Sequence, residues 1–177
     1  MKTLERTNRE ELTWIQPAAR RREFELRAGD DLVATLKWEK TRGSVARGES
    51  AAGAWTFKRA GFLRPLITVR TPGSETEIAV FQPNWNSQGT LDLGPGGRFR
   101  WTRTNFWRSH WAFTRESGNT LIHFRPQFGF LKQAAGISLQ EEAISLPDLY
   151  LLLILGWYLM ILTSDDAAAA TVAAVSG

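Results

Sequence analysis

The stretch that decides the fold is LYLLLILGWYLMIL, residues 149–162. Ser145-Leu146-Pro147-Asp148 precedes it, and a proline in a first turn beside an acidic residue is a helix-start signal. A helix that is apolar around its whole circumference cannot lie on a wet surface with one side exposed. It must cross a bilayer or fill the inside of a protein. At a rise of about 1.5 Å per residue the run is about 21 Å long. A bilayer core is roughly 30 Å thick and takes about 20 residues to span. Thr163-Ser164-Asp165-Asp166 then interrupts the run, and two adjacent carboxylates are costly in lipid. No Lys or Arg follows Lys132, so neither flank has a basic anchor. A buried core helix is the expected reading. A tail anchor with residues 149–162 in the bilayer, and the rest of the chain as an interaction platform, is the alternative.

The preceding chain supplies a container for that helix. DLVATLKW (31–38) places Leu32, Ala34, Leu36 and Trp38 on one face, and GAWTFKR (53–59) aligns Trp55 with Phe57. PLITVRT (65–71), TEIAVFQ (76–82), RFRWTRT (98–104), HWAFTR (110–115) and TLIHFR (120–125) alternate in the same way. Period-2 alternation of β-branched and aromatic residues is the signature of half-buried strands. Turn clusters separate them at 28–30, 71–74, 94–97 and 116–119, at hairpin spacing. Weaker candidates lie at 12–16, 22–28, 44–50, 90–93 and 136–140. The total is about a dozen strands by the same pattern rule. Strands of six or seven residues are about 20–23 Å long, which matches the helix. A barrel this wide leaves an interior that its own side chains cannot fill, and closure removes exposed sheet edges. The expectation is a mainly β protein, a closed antiparallel barrel of about twelve strands with the C-terminal helix buried inside. Residues 1–20 are an arm or a first strand. Residues 21–177 form one domain, with the helix at about 147–163 and an Ala-rich tail that extends the helix or frays. Gly156 would let the helix pass close to an inward aromatic ring. Tyr150, Trp157 and Tyr158 would be core residues whose polar atoms need partners.

The chain has 177 residues, 43% of them hydrophobic and 23% charged. This suits one globular domain with a sizeable core. The net charge is +4 and the pI about 9.8, which is compatible with anionic partners. Absence of cysteine excludes disulfides and thiolate metal sites and fits a reducing, cytoplasmic setting. The charged stretch MKTLERTNREELTW has no apolar core of a secretory signal, so none is expected.

The chain resembles the tubby-like C-terminal superfamily, which includes the phospholipid scramblase and LURP-one-related proteins. The likeness is carried by TNFWRSHWAFTRESGNTLIHFRP (104–126), FGFLK (128–132) and LPDLYLLLILGWYLMIL (146–162). The order is an aromatic strand pair, a hairpin with an acidic-Gly turn, a further strand and a greasy helix. The resemblance runs from about residue 22 to 166 and extends to uncharacterised bacterial proteins of that group. It implies a twelve-stranded barrel threaded by its C-terminal helix, and a binding module for anionic phospholipid headgroups. There is no Pro-rich N-terminal region, no cysteine cluster and no D-x-[DN]-x-[DN]-G calcium loop, so calcium-driven scrambling is not implied. The phosphoinositide pocket of the tubby proteins has no residue-by-residue match.

Candidate chemistry centres on RFRWTRTNFWRSHW (98–111). Arg98 and Arg100 share a strand face opposite Phe99 and Trp101, and Arg103 and Arg108 flank the following turn. Guanidinium groups pair well with phosphate, so these four are the candidate headgroup site, against the plainer reading of a solvated outer barrel face. Nucleic acid is not expected as a partner, because the aromatics belong to the inward face and no RRM signature occurs. A protein partner is left open. His110 and His123 fall on neighbouring strands but have no cysteine or spaced carboxylates to complete a metal site. Asp30-Asp31, Glu141-Glu142 and Asp165-Asp166 read as turn and solvation residues, with Asp165 a candidate cap. Gly94-Pro95-Gly96-Gly97 reads as a hairpin turn rather than a phosphate cradle. Trp85 in Asn84-Trp85-Asn86 is expected to pack beneath a turn, with an exposed contact role as the alternative. No G-x-S-x-G, H-E-x-x-H, Walker loop or G-x-G-x-x-G is present, and a filled barrel leaves little cavity for a substrate. The expectation is therefore a non-enzymatic, cofactor-free binding module, cytoplasmic and peripheral at a membrane.

Overall fold

A computed structural model describes residues 1, 3–4, 11–41, 43–61, 63–104, 110–128 and 132–175. The strands are β1 (Leu12–Ile15), β2 (Glu23–Ala28), β3 (Asp31–Trp38), β4 (Ala46–Ser50), β5 (Gly53–Ala60), β6 (Leu66–Arg70), β7 (Glu77–Pro83), β8 (Gly89–Asp92), β9 (Arg98–Arg103), β10 (Trp111–Arg115), β11 (Thr120–Phe128) and β12 (Gln133–Leu139). Each pairs antiparallel with the next, and β12 returns to β1 to close a barrel. The seam is in register from Leu12 opposite Ile137 to Ile15 opposite Ala134. Closure leaves no unpaired edge. β12 starts earlier than the segment expected at 136–140. Its first residues, Gln133-Ala134-Ala135-Gly136, carry no large apolar side chain to betray a strand.

Alternation delivers one apolar side chain in two to the interior. Phe24, Leu36, Phe57, Phe81, Trp101, Phe113 and Phe124 are among those fully buried there. They surround α2 (Leu149–Val175), in which every residue from Leu149 to Leu162 is buried. By length and composition this helix could cross a membrane, but its greasy segment is enclosed by the barrel. Two glycines set the fit. A Cβ on Gly156 would lie 2.8 Å from Phe124 Cε1 and Cε2, and closer still to Cζ. A Cβ on Gly48 in β4 would lie 2.6 Å from Ile154 Cγ2. Aromatic rings lock the helix laterally: Trp157 stacks on Trp14 at 5.8 Å, and Tyr158 stacks on Trp38 at 5.4 Å and Phe57 at 5.3 Å.

The barrel has two distinct ends because an up-and-down meander alternates its turns. The entry end carries the turns after β2, β4, β6, β8 and β10, and the segment 140–148 with α1 (Glu141–Ile144). The exit end carries the turns after β1, β3, β5, β7, β9 and β11, and there α2 emerges. The Tyr150 hydroxyl accepts the Leu4 N–H at 2.6 Å at the entry end. The Tyr158 hydroxyl donates to the Ser44 carbonyl at 2.5 Å near the exit end. Trp157 Nε1 is buried without a partner among the described residues. The helix runs on to Val175, so the Ala-rich tail extends the segment expected at about 147–163 rather than fraying from it. Asp165 and Asp166 do not stop it, because each is met by a barrel arginine. The alanines that follow have the highest helix propensity.

Candidate functional site at the helix-exit mouth

Of the four arginines singled out in the sequence, the three described ones do not share one face of the barrel. Arg98 and Arg100 lie on the outer face of β9 and are exposed. Arg98 Nε is 3.0 Å from Asp92 Oδ2 on β8. Among the described residues Arg100 makes no ion pair. Arg103 is odd in the strand and so falls on the inward side, at the exit end. Its guanidinium sits 4.7 Å from the Trp111 ring centroid, and its backbone N–H donates to Gln88 Oε1 at 3.2 Å. Arg103 lies five residue steps along the strand from Arg98, about 17 Å away. Arg108 lies outside the described residues. His123 is half-buried, and burial first, then the charges of His110 and Arg125, hold its imidazole below its ordinary pKa. Among the described residues no group of three His, Cys, Asp or Glu side chains could hold a metal ion.

The organised charge lies along the barrel axis instead. At the exit end the described turn residues include Arg20, Arg21, Arg22, Lys40, Arg64 and Lys132, against Glu39 as the one acid. At the entry end the turns carry Asp30, Glu75, Glu116, Glu141, Glu142 and Asp148, and no Lys or Arg. Two cations near the exit hold the helix. Arg22 pairs with Asp165 at 2.5 Å, and Arg59 pairs with Asp166 at 3.0 Å. These two carboxylates are thus rim clamps, not the turn and cap residues that their adjacency suggests. On a helix, neighbours diverge by about 100°, so Asp165 reaches the β1–β2 turn and Asp166 reaches β5. Lys132 Nζ donates to the Pro17 carbonyl at 2.9 Å. Arg20, Arg21, Lys40 and Arg64 are exposed and have no ion-pair partner among the described residues.

The same mouth exposes apolar side chains. Leu63 is 90% and Trp85 94% exposed. Trp85 does not pack beneath its turn as expected. The β7–β8 turn is closed by Asn84 N–H to Gln88 O at 2.7 Å, with Asn86 N–H bonded to Asn84 Oδ1 at 3.2 Å. Ser87 takes φ 64, a left-handed conformation that costs a non-glycine residue about 1–3 kcal/mol. This hydrogen-bonded turn carries the indole on its tip, in water. Between this turn and the β5–β6 turn opens a cleft of about 540 Å³. Ile67, Phe81, Leu159 and Leu162 form its apolar floor, and Arg59 and Arg64 border it. Asp166, held by Arg59, is the one acid among its described lining residues. Such a surface can hold anions at its rim and apolar groups beneath.

Period-2 parity alone would have divided Arg98 and Arg100 from Arg103. The cation-rich mouth was also legible, because in a meander every second turn shares an end. Sorting the turns that way collects Arg20, Arg21, Lys40 and Arg64 without coordinates. The exposure of Trp85 had no such signal.

No protein-family model, no curated protein and no solved structure matches the chain.

Proposed function

We propose that the protein is a non-catalytic binding module of the tubby-like kind that docks its helix-exit mouth on an anionic phospholipid surface. The observation that carries this reading is the axial segregation of charge, with Trp85 and Leu63 exposed at the cationic end. Each basic group near an anionic leaflet contributes about 1 kcal/mol. Burying a side chain such as Leu63 adds about 1.5–3 kcal/mol. Four free cations and two apolar tips together correspond to dissociation constants on the order of micromolar. The acidic entry end faces away from the surface in this orientation, which electrostatic steering favours. The emerging segment of α2, Ala167–Val175, bears no charge and meets the surface first. In this reading the barrel is cytoplasmic and peripheral to the membrane.

Sedimentation with phosphatidylcholine vesicles, with and without phosphatidylglycerol, tests the reading. Binding is expected to the anionic vesicles, with loss at about 1 M salt, where the screening length is about 3 Å. Reversing Arg20, Arg21, Lys40 and Arg64 to Glu should weaken it more than tenfold. Changing Arg98 and Arg100 to Gln should leave it unaltered. Equal binding to neutral vesicles, or an unaffected charge-reversed variant, would overturn the reading.

A further inference from the structure

The exit-mouth cleft has the features of a ligand site in its own right. Its volume of about 540 Å³ lies within the roughly 300–1,000 Å³ of small-molecule pockets. Folding gains by closing apolar clefts against water, yet Leu66 remains 37% exposed on its wall. The two turns that could cover the floor instead border an open slot. One of them holds Ser87, the single left-handed non-glycine residue among those described. Strain of this kind concentrates at ligand sites. The cationic border is also unbalanced. Arg59 is committed to Asp166, whereas Arg64 is exposed and has no ion-pair partner among the described residues.

An apolar slot bordered by an uncommitted arginine is complementary to a molecule with one hydrocarbon chain and one anionic head. We infer that this cleft binds a single-chain anionic amphiphile. The chain lies along Ile67, Phe81, Leu159 and Leu162, and the carboxylate or phosphate pairs with Arg64. Trp85 borders the same slot and closes over the chain. A floor this apolar takes the chain by the ordinary hydrophobic gain per methylene, and the guanidinium fork selects the head. The inference concerns one molecule bound from dilute solution, so it does not depend on docking to a bilayer.

Calorimetry and tryptophan emission with the full chain test it, using laurate below its micelle concentration, lauroyl lysophosphatidate, and dodecanol as the uncharged control. The expected result is saturable one-to-one binding of at least one anionic probe, with a blue shift that Trp85→Phe abolishes. Dodecanol should bind at least tenfold more weakly. Arg64→Gln should bring the anionic probe down to the level of dodecanol and leave dodecanol unchanged. Leu66→Glu should abolish binding of all three. All three substituted positions are exposed, and circular dichroism checks that the barrel is retained. The stronger of the two anionic probes identifies the head group. Absence of saturable binding by both anionic probes, equal affinity for dodecanol, or indifference to Arg64→Gln would overturn the inference. Vesicle binding without laurate or lysophosphatidate binding would leave the docking reading standing and remove this one. The reverse pattern would do the opposite.

Discussion

Replacing Gly156 with Ala tests the threading of the helix through the barrel at its tightest point. In an exposed helix this change is favourable by about 1 kcal/mol, because glycine loses more backbone freedom than alanine. Here the new methyl carbon would lie 2.8 Å from two ring carbons of Phe124 and closer to a third. Ordinary contact needs about 3.5–4.0 Å, so the ring must retreat by roughly 1 Å. It has no free direction, since Trp101 stands 5.2 Å away edge-on and Phe113 stands 6.2 Å away. Overpacking a dense core costs about 1–3 kcal/mol, and a boxed aromatic ring belongs at the upper end. After the propensity gain is offset, Gly156→Ala should destabilise by about 2 kcal/mol. Urea unfolding followed by far-ultraviolet circular dichroism measures it. Phe124→Leu should cost the native protein about 1–3 kcal/mol through lost packing but less in the Gly156→Ala background, where it frees space. A coupling of at least about 0.5 kcal/mol is expected between residues in such contact. A neutral or stabilising Gly156→Ala, or strict additivity with Phe124→Leu, would mean that this face of the helix does not meet the barrel wall.

Tyr158→Phe removes the bond to the Ser44 carbonyl and should cost about 1–2 kcal/mol. Burial raises the Tyr158 phenol well above its ordinary pKa. Unfolding therefore releases a proton above about pH 10, and native stability falls as pH rises from there. That alkaline slope should be shallower in Tyr158→Phe, as read from urea midpoints across the pH range. Asp165→Asn with Asp166→Asn removes both rim clamps, each worth about 1 kcal/mol or less at such exposure. Hydrogen exchange should quicken over residues 163–175 and stay slow over 149–162; equal quickening in both would contradict the clamp role. Trp85→Ala should leave unfolding midpoints within about 0.5 kcal/mol while reducing affinity for anionic vesicles about tenfold or more, given the apolar area lost.

The barrel was legible because its inner wall is written in large side chains. β3 and the aromatic pair β9–β10 could be placed from alternation alone, and Gly156 could be assigned to an inward ring before any coordinate. β12 was the least distinct strand, since Ala134, Ala135 and Gly136 leave nothing to alternate. The choice between an extended and a frayed Ala-rich tail has an electrostatic reason. Two adjacent aspartates interrupt the apolar run, and only the positions of Arg22 and Arg59 show that the barrel neutralises them and lets the tail continue the helix. The three described arginines of the candidate headgroup site are parted by strand geometry. Arg98 and Arg103 are neighbours in the text but occupy opposite ends and faces of one strand. For Trp85 the alternative of exposure holds over packing beneath the turn, because burial of tryptophan is an average tendency, which the hydrogen bonds of one turn override.

The β1–β12 seam governs how such a molecule comes into being. Its first strand waits for its last, and the segment that fills the lumen is made after all twelve strands. On a ribosome adding about 5–20 residues per second, the nascent meander spends seconds with its aromatic lining turned to water. Contacts so distant in sequence also make closure slow. The same arrangement that leaves the mature protein without an open edge gives it a vulnerable infancy, in which a chaperone or a dilute environment must stand in for the missing plug.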